Sequence, residues 1–159
     1  MLLPDAEATA RLARAVGARL RAGDVVALSG GLGAGKSHFA RSLIADRLAA
    51  LGRREDIPSP SYTLAQTYDL GGEELWHVDL YRLGSADEAA ELGLEEAFAA
   101  AICLVEWPDR LGAGLPARRL DVGLDFGAAA DARIARIAPR GGGWDWLDAA
   151  LAEARAGGA

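Results

Sequence analysis

Gly30-Gly31-Leu32-Gly33-Ala34-Gly35-Lys36-Ser37 has the residue types and spacing needed to hold a phosphate chain, because it satisfies G-x-x-x-x-G-K-[ST]. The glycines let the backbone turn with its N–H groups pointing inward around a phosphate. A helix that begins at Lys36 adds the positive end of its dipole. Lys36 is placed to reach the β- and γ-phosphates as a point charge, and the Ser37 hydroxyl is suited to ligate magnesium. Composition predicts roughly one accidental match per thousand chains of this length. The match also uses the only lysine among 17 basic residues.

A site of this kind needs a second carboxylate for the metal at the end of a neighbouring buried strand. Asp79 closes Leu75-Trp76-His77-Val78, and Glu106 closes the more apolar run Ile102-Cys103-Leu104-Val105. Either acid sits at the strand edge where α/β proteins bind ligands. A strand-end acid can equally be one that merely reaches solvent, so the residues themselves leave both candidates open. His77, within an aromatic and apolar strand, reads as a packed, hydrogen-bonded residue rather than a proton carrier. Arg82 reads as a strand-end ion pair, with an internal arginine finger as the alternative.

Several elements must position these groups. Apolar residues at Ala8, Leu12, Ala15, Val16 and Leu20 recur at helical spacing between Pro4 and Leu20. Val25 to Ser29 is a short apolar run that starts with two β-branched residues and predicts a strand buried on both faces. The glycine loop follows, and a helix is expected from Lys36 to about Leu51. After the proline-containing loop 52–60, Tyr62–Leu70 and Glu74–Leu83 flank Gly71-Gly72 and predict a hairpin. Ser85 and Glu88 match a capping box, opening a helix that runs to about Ala99 with an interruption near Gly93. Ala101–Trp107 is a further buried strand that stops at Pro108. Arg118–Phe126 and Ala132–Ala138 predict a second hairpin, and Trp144–Ala156 a closing helix packed by Trp144 and Trp146. The Gly157-Gly158-Ala159 tail is expected to be loose. Together these predict one α/β domain spanning residues 1–159, with a mixed β-sheet between helices in three layers.

Composition narrows the function. Hydrophobic residues make up 51% of the 159 and charged residues 25%, which suits a packed domain and not a disordered chain. The longest apolar run, Ala97–Val105, is under half of the roughly 20 residues that span a bilayer. No secretory pattern opens the chain, so a cytoplasmic location and no membrane partner are expected. Cys103, the single cysteine, can form no internal disulfide and no thiolate cluster. A net charge of −6 repels polyphosphates, so DNA is not an expected partner and any RNA contact would need a partner or a local patch. Asp87, Glu88, Glu91, Glu95 and Glu96 read as a solvated helix face.

Taken together, the sequence resembles the TsaE (YjeE) family of small bacterial ATPases that serve threonylcarbamoyladenosine synthesis in transfer RNA. Four blocks carry the resemblance: Gly30–Ser37, Ser59-Pro60-Ser61-Tyr62-Thr63-Leu64, His77-Val78-Asp79-Leu80-Tyr81-Arg82-Leu83 and Cys103-Leu104-Val105-Glu106-Trp107. Glu91-Leu92-Gly93-Leu94 is also similar, and the likeness extends over about residues 6–150. A phosphate loop alone names only a superfamily, but the second and third strings are specific. The resemblance implies that residues 31–38 (Gly31, Leu32, Gly33, Ala34, Gly35, Lys36, Ser37 and His38) hold Mg-ATP, with Trp107 close to the nucleotide. It implies that Glu106 and Ser37 coordinate Mg2+ and that Lys36, Asp79 and Glu106 are catalytic. Ser59, Pro60, Ser61, Tyr62 and Thr63 would form a switch-like loop near the γ-phosphate. Thr9 and Arg133 resemble positions that flank the nucleotide. The implied partners are TsaB and TsaD, with transfer RNA met through that complex, whose state ATP hydrolysis would reset.

The sequence departs from the family pattern at Gly31, where aspartate is usual, at Ser37 and Ser61, which replace threonines, and at His38. The serines keep the hydroxyl a metal requires. Two other functions share a phosphate loop but fit less well. A small-molecule kinase usually carries an arginine-rich lid, and Arg53-Arg54 is too little to build one. A guanine-reading switch needs [NT]-K-x-D, and no lysine remains for it once Lys36 is committed. Asp69-Leu70-Gly71-Gly72 matches D-x-x-G only at a hairpin turn.

Overall fold

The computed structural model describes residues 1–158, and its centre is a seven-stranded mixed sheet flanked by helices. In chain order the elements are β1 (Leu2–Leu3), α1 (Ala6–Gly17), β2 (Val25–Ser29), α2 (Lys36–Ala49), β3 (Ala65–Asp69), β4 (Glu74–Asp79) and α3 (Ala86–Glu91). They continue with α4 (Leu94–Ala100), β5 (Ile102–Glu106), a 3-10 segment (Pro108–Gly114), β6 (Arg119–Phe126), β7 (Arg133–Arg140) and α5 (Leu147–Ala156). The strand order is β1-β7-β6-β2-β5-β4-β3. The four central strands β6, β2, β5 and β4 run parallel, and β7, β1 and β3 add antiparallel edges.

Strand alternation divides the core in two, because successive side chains point to opposite faces of a sheet. On one face Val26, Leu28, Leu75, Leu104 and Val122 pack with α1, α2 and α5. On the other Val25, Val78, Cys103 and Val105 pack with α4 and the 3-10 segment. β2 and β5 are covered on both sides, which explains their near-continuous apolar sequences. α1 starts at its cap, where Asp5 accepts from the Ala8 amide at 2.8 Å, an interaction worth about 1 kcal/mol. Its Leu12 and Val16 are fully buried, each contributing about 1.5–3 kcal/mol relative to exposure.

The structure differs from the sequence reading at several boundaries. Ser85 does sit at the start of α3, but its side chain makes no capping bond, so the expected capping box is not formed. The first hairpin is shorter than expected. Leu64 takes a left-handed φ of 67° with its amide bonded to the Pro60 carbonyl, which holds Tyr62 and Thr63 in a turn before β3. At the other end Leu80 to Leu83 leave the sheet after the Leu80 amide bonds to the Glu106 carbonyl. The last helix opens at Leu147, because Trp144 and Trp146 lie in the turn ahead of it, 5.7 Å apart edge to face. Gly93, at φ 76°, makes the expected break between α3 and α4. The two-residue β1 and the 3-10 segment were not anticipated. Ala159, the last residue of the expected loose tail, lies outside the described residues; Gly157 and Gly158 form a turn after α5.

Candidate functional site

The glycine loop joins the carboxyl end of β2 to the amino end of α2. Gly30 has φ +143°, and a Cβ there would sit 2.3 Å from the Leu124 carbonyl oxygen, so only glycine fits. Gly35 precedes the helix at φ 107° and places Lys36 and Ser37 in its first turn. Lys36 Nζ is folded back onto its own loop, donating to the carbonyls of Gly30 at 2.7 Å and Gly31 at 2.8 Å. It also lies 4.2 Å from the centre of the Trp107 ring. Burial pushes the Lys36 ammonium below its usual range, opposed by the charges of Glu106 and Asp79.

Both candidate carboxylates converge on this loop. β5 lies between β2 and β4, and Glu106 is in register with Leu28 on one side and Asp79 on the other. The Ser37 hydroxyl lies 2.9 Å from Glu106 Oε1 and 3.1 Å from Oε2. Glu106 Oε2 is also 2.7 Å from Nε2 of His77, which is completely buried. Asp79 has a different set of partners. Its Oδ2 accepts from Ser61 Oγ at 3.1 Å and its Oδ1 from the Tyr81 amide at 3.0 Å, while its own amide donates to Leu64 O at 2.8 Å.

Asp79 is thereby tied to Ser61 through its side chain and to Leu64, just after loop 59–63, through its main chain. Ser59 Oγ and Ser61 Oγ are 2.8 Å apart, and Tyr62 projects into solvent with the Arg82 guanidinium 4.5 Å from its ring centre. Arg82 therefore stacks on Tyr62, and no ion pair to it is found among the described residues. Trp107 has a left-handed backbone, φ 57° and ψ 52°, and its ring packs 5.1 Å from that of Tyr81. A non-glycine residue in this region is strained and marks a constrained site.

A cleft of about 290 Å³ gathers Lys36, Ser37, His38, Ser61, Asp79, Glu106 and Trp107, together with Arg41 and Tyr81, neither of which the sequence marked as a site residue. The His38 ring turns away to α1, 2.9 Å from the Ala6 carbonyl. Arg133 braces the loop from β7 by donating to the carbonyls of Gly33 and Ala34, and Thr9 is buried in α1. His77 was read as a packed residue, which it is, but its carboxylate partner depends on strand pairing and was not visible in the chain. A wider cleft of about 830 Å³ lies near the amino end of β2, where Arg19, Arg47 and Arg118 are already paired with Glu153, Glu73 and Asp24. Cys103 is buried, its thiol pushed up to about 12, and takes no part in the cleft. The acids of α3 and α4 are mostly exposed, with Glu88 half-buried.

Comparison with known proteins gives this geometry a family. Residues 3–134 match the family described as "Threonylcarbamoyl adenosine biosynthesis protein TsaE". The chain belongs to the TsaE family. Among TsaE relatives, that of Rickettsia bellii is 38% identical over 123 residues, covering 77% of this chain and 83% of that one. The Mycobacterium leprae protein is 37% identical over 150 residues, covering 89% and 86%. The match to the Rickettsia felis protein, 39% identical, spans 69% of this chain and 62% of that longer one. A crystal structure of Bacillus subtilis YdiB superposes with a TM-score of 0.73 at 28% identity, covering all of this chain and 95% of that one.

The TsaE site fits a magnesium–nucleotide pair on its own donor set. It has a cradle that a Cβ would fill at Gly30, an ammonium at Lys36, and a hydroxyl and carboxylate already converged at Ser37 and Glu106. Serine hydroxyl and carboxylate oxygens are hard donors of the kind magnesium prefers.

Proposed function

We propose that this TsaE chain is a Mg-dependent ATP-binding and ATP-hydrolysing subunit of the machinery that makes N6-threonylcarbamoyladenosine in transfer RNA. It would act with TsaB and TsaD, and its turnover resets the assembly after carbamoyl transfer. The single observation that carries this reading is the convergence of Ser37 and Glu106 beside Lys36 at the mouth of the glycine loop.

Lys36 leaves the Gly30 and Gly31 carbonyls to meet the phosphates, and the loop amides and the α2 dipole share their charge. Ser37 and Glu106 hold Mg2+, which supplies charge neutralisation at the phosphates. With Glu106 engaged by Ser37 and His77, Asp79, held in the cleft by Ser61 and the Tyr81 amide, is the second buried carboxylate and the one assigned to orient the attacking water. Ser61 couples Asp79 to loop 59–63, so the posture of that loop bears directly on the carboxylate. Catalysis on this account is positioning and electrostatics, with no covalent intermediate. Ser59, Tyr62 and Thr63 of the 59–63 loop are exposed, and partner contact there would change turnover.

Turnover of ATP and GTP by the purified protein, alone and with TsaB, TsaD and transfer RNA, tests the reading. Slow magnesium-dependent ATP hydrolysis that rises with the partners is expected. A preference for GTP, or turnover indifferent to the partners, would contradict it.

A further inference from the structure

His77 lies two residues before Asp79 on β4 and shares its sheet face, the one that meets α2. The ring is completely buried and reaches diagonally across the β4–β5 pair to Glu106, where Nε2 is 2.7 Å from Oε2. A carboxylate can only accept this bond, so Nε2 carries the hydrogen. Nδ1 is also buried and has no partner among the described residues.

Glu106 is itself almost wholly buried, so its carboxylate needs fixed partners. Ser37 has one hydroxyl hydrogen and two Glu106 oxygens in range. Only His77 distinguishes those oxygens, holding Oε2 toward β4 and leaving Oε1 turned to Ser37. From this geometry we infer that His77 is a positioning residue: its Nε2–H sets the orientation of the Glu106 carboxylate and thereby the affinity of the site for magnesium. The inference rests on the magnesium role proposed above for Ser37 and Glu106. Outer hydrogen bonds to ligating side chains generally carry about 10–100-fold in metal affinity.

The test is equilibrium binding of ATP at increasing magnesium, which needs no turnover. In His77→Leu the magnesium needed for half-maximal tightening of ATP should rise by about 10–100-fold, with ATP affinity in EDTA as in the unaltered protein. His77→Gln, whose amide can reach Oε2, should recover most of this, and the shorter His77→Asn should not. The Gln and Asn pair keeps the test decisive if His77→Leu fails to fold. An unchanged magnesium requirement in His77→Leu, or equal values for Gln and Asn, would overturn the inference. If those variants are unchanged but Glu106→Gln raises the requirement, His77 alone is wrongly assigned; if Glu106→Gln is also unchanged, the magnesium reading falls with it. Nitrogen NMR of the His77 ring supplies a second readout: protonation at Nε2 is expected, and protonation at Nδ1 alone would overturn the inference.

Discussion

Ser37 and Glu106 are 69 residues apart in the chain, yet the serine hydroxyl lies 2.9 Å from one glutamate oxygen and 3.1 Å from the other. The contact exists because β5 pairs in parallel with β2 and carries Glu106 to the level of Leu28, just below the glycine loop. One residue there supplies a hydroxyl and the other a carboxylate, the donor pair a magnesium ion uses. Replacing Glu106 with glutamine keeps the shape and removes the charge. Magnesium titrations of Glu106→Gln with ATP should show a requirement raised by about tenfold or more, with binding in EDTA little changed.

Lys36 is held in a posture that a nucleotide must displace, against two loop carbonyls and the Trp107 ring. It is the only lysine in the chain, so Lys36→Met should remove ATP binding measurable by calorimetry while the far-ultraviolet circular dichroism stays that of a folded protein.

The same residue makes a pH prediction whose sign follows from burial. Its pKa is lowered in the folded state, so between that value and 10.5 the unfolded chain binds more protons than the native one. Stability conferred relative to Lys36→Met therefore rises with pH through that window. Denaturant unfolding of both proteins at a series of alkaline pH values would show the difference; a difference that shrinks as pH rises would contradict the burial argument.

How much of this was visible in the chain depends on the range of the interaction. The glycine loop, β2 and the start of α2 are set by neighbouring residues, and the structure has them where the sequence predicted. The seven-stranded mixed sheet with helices on both faces also agrees with the expected class. Partners set by strand register were not legible in the residues themselves, and only the family resemblance set Glu106 with Ser37. Whether Asp79 or Glu106 meets Ser37, and that His77 joins the second of them, depends on β2, β5 and β4 lying side by side. β1 has two residues and is held by β7, including the bond from the Met1 amine to the Ala135 carbonyl, so no local pattern announces it. Ser85 shows the converse error: a matching string whose side chain found no amide to cap.

Gly30 is the loop position where sterics and backbone conformation agree most closely. Gly30→Ala forces a methyl against the Leu124 carbonyl and an alanine into a φ of +143°. The protein should lose about 1–3 kcal/mol by denaturant unfolding, together with its nucleotide affinity. Stability equal to that of the unaltered protein would mean that the loop relaxes freely.

Calorimetric titration of ATP into the purified chain, with excess magnesium and then with EDTA, tests the central claim most directly. The account predicts one ATP bound per chain, more tightly with magnesium, with that gain largely lost in Glu106→Gln. No binding under either condition, or binding indifferent to magnesium, would contradict the assignment of Lys36, Ser37 and Glu106 as a magnesium–ATP site.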